Sequence, residues 1–79
     1  MNLKVYDKQG TLLFDGSPLD DDGQISQKIP APVRDYIIAG WKSYGPMYDD
    51  FEHYWNRYVK HRMATSLGLA YQGFGLKVE

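Results

Sequence analysis

The sequence contains no cysteine, which removes disulfide bridges and thiolate metal sites from the devices available to hold a short chain together. It has no apolar run approaching the roughly 20 residues that span a bilayer. Its first ten residues, MNLKVYDKQG, lack the apolar stretch and small-residue cleavage site of a signal peptide. A cytoplasmic protein without a membrane partner is the expectation, and the missing cysteine agrees with a reducing compartment. Excess charge is also scarce: nine Lys and Arg stand against ten Asp and Glu, a net charge of −1. That balance argues against a general polyanion binder. Seventy-nine residues leave room for a single domain, 1–79, because two independent cores do not fit in this length.

Rings are what the chain has in plenty. Two Trp, seven Tyr and three Phe make up 15% of it. Each ring can take about 150–250 Å² out of water, so aromatics substitute for the absent bridges. They concentrate in Pro46 to Leu67. There Met47, Phe51, Tyr54, Trp55, Tyr58, Val59, Met63 and Leu67 recur at spacings of three and four, the stripe of an amphipathic helix. Asp49, Asp50 and Glu52 come early in this segment and Arg57, Lys60, His61 and Arg62 late, an order that complements the helix macrodipole.

The remainder of the chain supplies strands and a second helix. Leu3–Tyr6 and Thr11–Phe14 are β-prone runs joined by Asp7-Lys8-Gln9-Gly10, which reads as a hairpin with a type I turn. The alternation of Leu3 and Val5 with Lys4 predicts one buried face, and the more uniformly apolar second run predicts a central strand. Asp15 to Gly23 is turn chemistry throughout. Gln24–Ile29 alternates as a short strand or an extended connector. A helix is expected from about Pro32 to Ser43, with Val33, Tyr36, Ile37, Gly40, Trp41 and Tyr44 on one face and Gly40 admitting a close backbone neighbour. Gly45 is expected as a left-handed stop and Pro46 as the first residue of the next helix. Gly68 ends that helix, and Leu69–Val78 reads as a last strand in which Gly73 and Gly75 mark a bulge or close approach. The predicted fold is α+β: a small two-layer domain in the order β-β-(β)-α-α-β, with an antiparallel sheet of N-terminal hairpin plus C-terminal strand packed on an αα-hairpin.

Chemistry-bearing patterns are few. Asp20-Asp21-Asp22-Gly23 resembles part of a calcium loop, but placing Gly23 at loop position six puts Pro18 at position one and Ile29 at position twelve, so both ligand positions fail. His53 and His61 lie eight residues apart, about 80° around a helix, and cannot form a helical metal pair. Asp49 and Asp50 stand about one turn before His53, in reach of an acid–imidazole contact. No Ser or Thr sits in a nucleophile context, and Gly73-x-Gly75 follows no strand–turn–helix pattern. The expectation is therefore a non-enzymatic protein with no cofactor and no metal.

Binding is what remains. Tyr, Trp and Arg are enriched in protein interfaces, and so many rings exceed what one small core can bury. Tyr48, Tyr71 and Ile38 fall off the stripes and are candidates for an exposed patch. His53, Arg57, Lys60, His61 and Arg62 on the second helix, together with Tyr48 and the Asp20, Asp21, Asp22 turn, form the candidate partner-binding set. By size and composition the chain has the character of a phage or mobile-element accessory protein that inhibits a host defence or nucleic-acid-handling complex. Two alternatives stand beside this. The basic end of the second helix, with Tyr58 among its cations, would suit a nucleic-acid-binding module, although acids at the helix start and a Tyr58 ring given to the core count against it. Exposed rings would also suit a homo-oligomeric structural protein.

Overall fold

Leu3 and Val5 alternate with Lys4 and Tyr6, and this strand lies at the centre of the sheet, with Leu3 and Val5 fully buried. The computed structural model describes residues 1–63 and 70–79; the roles expected of Leu67, Gly68 and Leu69 fall outside the described residues. The chain forms β1 (Leu3–Tyr6), β2 (Leu12–Gly16), helix α1 (Ala31–Tyr44), a 3₁₀ turn (Gly45–Met47), a second helix α2 (51–62) and β3 (Gly75–Val78). The sheet is antiparallel in the order β2-β1-β3. It is a small α+β domain, with three strands and the helices α1 and α2 among the described residues.

The second strand is an edge strand and not a central one. Val5 pairs with Phe14 but Tyr6 pairs with Leu12, so Leu13 is an extra residue in β2. Such a bulge breaks the alternation of faces. Leu12 and Leu13 are accordingly 48% and 44% exposed, which explains an apolar run that is not core. The Asp7 carboxylate accepts the Gln9 and Thr11 N–H groups and Gly10 takes a φ of +85°, so the hairpin turn is built as its residues predict. Residues Gln24–Ile29 form no strand. Leu19 and Ile25 make a single antiparallel bridge.

Leu3, Val5, Ile29, Val33, Ile37, Tyr54, Trp55, Val59 and Met63 make the core, uniting β1 with one face of α1 and one of α2. Helix α1 starts at Ala31 with Pro32 one residue further in, still within the turn whose N–H groups have no helical partner. The second helix starts at Phe51, later than Pro46. Pro46 sits in the 3₁₀ turn, and the Asp50 side chain caps the helix by accepting the His53 N–H at 2.9 Å. Gly45 has ordinary right-handed angles (φ −52°, ψ −40°), so it is no left-handed stop. Its reason is steric: a Cβ there would lie 2.7 Å from the Trp41 ring.

Helix α2 is not uniform. It runs as α-helix over Phe51–Tyr54, as π-helix over Trp55–Val59, and as α-helix again over Lys60–Arg62. A spacing of four drifts about 40° per step around an α-helix. The wider π turn takes up that drift, and Trp55, Val59 and Met63 all stay inside. At the other end of the chain, Ala70 and Tyr71 are helical and Gln72 and Gly73 turn, so the last strand is only Gly75–Val78. Gly73 is a turn glycine (φ +86°) and not a bulge. Reciprocal Asn2–Glu79 backbone hydrogen bonds of 3.0 and 2.8 Å extend the β1–β3 ladder, and the Trp55 indole N–H donates to the Glu79 carbonyl at 2.9 Å.

Candidate functional site

The stripes of α1 and α2 meet in a ladder of rings around Tyr54. Tyr54 is fully buried, and its hydroxyl donates to the Ile37 carbonyl at 3.0 Å. Gly40 makes this possible: a Cβ at that position would collide with the Tyr54 hydroxyl. The close neighbour that Gly40 admits is therefore a side chain and not a backbone. Around Tyr54 stand Trp41 (5.1 Å between centroids), Phe51 (5.5 Å), Tyr48 (5.9 Å) and Tyr58 (5.4 Å). Each of these four is half-buried. Burial, followed by the neighbouring phenols of Tyr58, Tyr36 and Tyr48, pushes the Tyr54 phenol far above its ordinary range, so it is a neutral donor at any physiological pH.

The ladder emerges at the surface at two ends. At one end Met47, 76% exposed, stands on the 3₁₀ turn next in the chain to half-buried Tyr48, and half-buried Phe51 opens the helix that follows. Exposed Asp49, Asp50 and Glu52 are interleaved with them in the chain. The Asp50 carboxylate also meets the His53 ring, Oδ1 to Nδ1 at 2.8 Å. Hydrogen bonds from the His53 backbone and ring hold the Asp50 carboxyl below the usual carboxylate range. The acid–imidazole contact expected from the sequence is thus with Asp50, at a spacing of three, and it serves a helix cap. An Asp–His pair is two of the three groups of a nucleophile–base–acid arrangement, but this one lies at the surface and borders neither cavity described below.

At the other end Tyr44, 43% exposed, stacks on Tyr58 at 4.8 Å, and the Arg62 guanidinium sits 5.5 Å from the centre of the Tyr58 ring. Burial, then the phenols of Tyr36 and Tyr44, raise the Tyr58 phenol above its ordinary value, with Arg62 opposing. Tyr58 is therefore both core and surface. Arg57, Lys60, His61 and Arg62 are all exposed.

The third candidate, the acidic turn, is a small hairpin tip. Asp22 accepts the Gln24 N–H at 3.0 Å, Asp20 bonds to Gln24 and Gly23 through its backbone, and Gly23 takes φ +81°. Two open depressions of about 630 and 640 Å³ flank it. Asp20 and Asp22 border both, Asp21 and Lys28 the first, and Arg34, Asp35 and Ile38 the second. The residues that share these depressions with the turn come from β2, α1 and the connection between them; none comes from α2. The predicted binding set is thus spread over three places: Tyr48 and His53 at the Met47 end, Arg57, Lys60, His61 and Arg62 on the later turns of α2, and Asp20–Asp22 across the fold. Met47 and Tyr44 were hidden from sequence reasoning because both lie on apolar stripes. Among the described residues no group of three or more His, Asp or Glu side chains is placed to hold a metal ion, and no helix is long and apolar enough to cross a membrane. No protein-family model matches the chain, and no match to a curated protein or to a solved structure is found.

Proposed function

We propose that the chain is a small non-enzymatic protein-binding domain, and that the Met47 end of the ring ladder is its contact face. One observation carries this reading: Met47 is 76% exposed on the 3₁₀ turn and adjoins Tyr48, a half-buried ring packed on Tyr54 in the core. Preformed apolar anchors with a charged surround are what protein interfaces use. Asp49, Asp50 and Glu52 select a partner whose contacting rim is basic. A host complex that handles nucleic acid offers such a rim, and inhibition of it by a phage or mobile-element accessory protein is the biological setting we favour, on size and composition.

The test is affinity capture from host lysate with wild type and with Met47→Asp. The reading predicts one dominant protein at stoichiometric yield that disappears with Met47→Asp, while the melting temperature stays within a few degrees. Recovery of chaperones alone, or capture indifferent to Met47→Asp, would contradict it.

A further inference from the structure

The opposite end of the ladder has a different chemistry. Tyr44 and Tyr58 are stacked, with an interplanar angle of 29°, and Tyr44 stands 43% exposed. Arg62, four residues after Tyr58, lies over its ring, 5.5 Å from the centre. The groups that act on the Tyr58 phenol are Tyr36, Tyr44 and Arg62, with no carboxylate among them.

From this geometry we infer that the Tyr44–Tyr58–Arg62 surface is a second binding site, which takes a short single-stranded nucleic acid. An exposed ring already stacked on another offers a base a preformed platform, and stacking of this kind tolerates any base. Arg62, held over the Tyr58 ring, supplies the positive charge that a phosphate backbone needs. The carboxylates at the start of α2 stand roughly 15 Å along the helix from Arg62, several times the contact distance of a phosphate on Arg62, and Coulomb interaction falls with distance. Nor is Tyr58 withdrawn into the core, since it is only half-buried. A duplex would gain little here, because its bases are already stacked and turned away from the ring.

The experiment is fluorescence anisotropy of a labelled ten-residue oligothymidylate titrated with the full chain at 20 mM salt. Salt-sensitive binding is expected, weakening about fivefold per tenfold rise in salt for one neutralised phosphate, from a slope of about −0.7. Tyr44→Ala and Arg62→Gln should each weaken binding about fivefold or more, and Tyr44→Phe should retain it. Absence of binding at 20 mM salt, equal binding of a duplex of that sequence, or indifference to Tyr44→Ala overturns the inference. Photocrosslinking of a bromodeoxyuridine-containing oligonucleotide to the unmodified chain is a readout independent of the variants. Adducts on Tyr44 or Tyr58 support the site; adducts confined elsewhere reject it. Both measurements use purified protein, and no variant in them replaces Met47, Tyr48 or Phe51, so their outcome is separate from that of the capture experiment.

Discussion

The two ends of the ring ladder differ less in their rings than in what surrounds them. Both are tied to Tyr54, at 5.9 Å through Tyr48 and at 5.4 Å through Tyr58. One end, around Met47, is bordered by Asp49, Asp50 and Glu52. The other, where Tyr44 stacks on Tyr58, carries Arg62 over the Tyr58 ring. The helix macrodipole favours this order of charges by itself, so the polarity of α2 stabilises the helix and, as a consequence, leaves two chemically opposite surfaces on one rigid core. The lesson is that the middle of the ladder sets stability while its ends are free to set recognition.

The sharpest way to break that division is to remove the middle. Tyr54→Ala should cost about 3–5 kcal/mol, against a total stability of about 5–15 kcal/mol for a typical domain, and should abolish a cooperative melting transition or lower its midpoint steeply. Gly40→Ala comes next. Its methyl collides with the Tyr54 hydroxyl, and overpacking of this kind costs about 1–3 kcal/mol. In a Tyr54→Phe background the hydroxyl is gone and much of the penalty should vanish, a coupling readable in a double-mutant cycle of denaturation midpoints. Tyr54→Phe alone should cost about 1 kcal/mol through the lost hydrogen bond to Ile37.

pH separates the middle from the ends more gently. The folded state raises the Tyr54 value above the ordinary one near 10.0, so its contribution is whole below that pH and is lost as pH rises towards the folded value. Thermal melts from pH 8 to 11.5 should show alkaline destabilisation in wild type and a flatter profile in Tyr54→Phe. At the Met47 end the sign reverses. The folded Asp50 value lies below the ordinary 3.8, so its contribution is present above that pH and fades as pH falls through the folded value. Asp50→Ala should lower the melting temperature by several degrees at pH 7, with the gap to wild type closing in acid. Tyr44→Ala should cost about 0.5–1.5 kcal/mol through the lost stack on Tyr58, and, smallest of all, Met47→Ala should move stability by less than about 0.5 kcal/mol, as surface changes usually do.

Much of this was legible in the sequence. The hairpin followed from Asp7 and Gly10, the sheet face from Leu3 and Val5, and the helix pair from two stripes with a Gly-Pro break. What escaped has local physical causes. Leu12 and Leu13 look like core because a bulge cannot be seen in a run of two leucines. Pro46 looks like a helix start, yet the Asp50 cap begins the helix later, and Gly45 answers to the Trp41 ring and not to a turn. The site was less legible: the stripe named the rings, but only packing decides which of them are fully covered. Tyr54 and Trp55 are; Tyr44 and Met47, on the same periodicities, are not.

The most direct test of the division between middle and ends is site-specific photocrosslinking with a benzophenone residue at position 47 or at position 71, in cells that contain the natural partner. Tyr71 is 89% exposed and is in no ring pair among the described residues, so it controls for exposure. The account predicts one discrete crosslinked protein from position 47 and none from position 71. Equal crosslinking from both positions, or none from position 47, would contradict it.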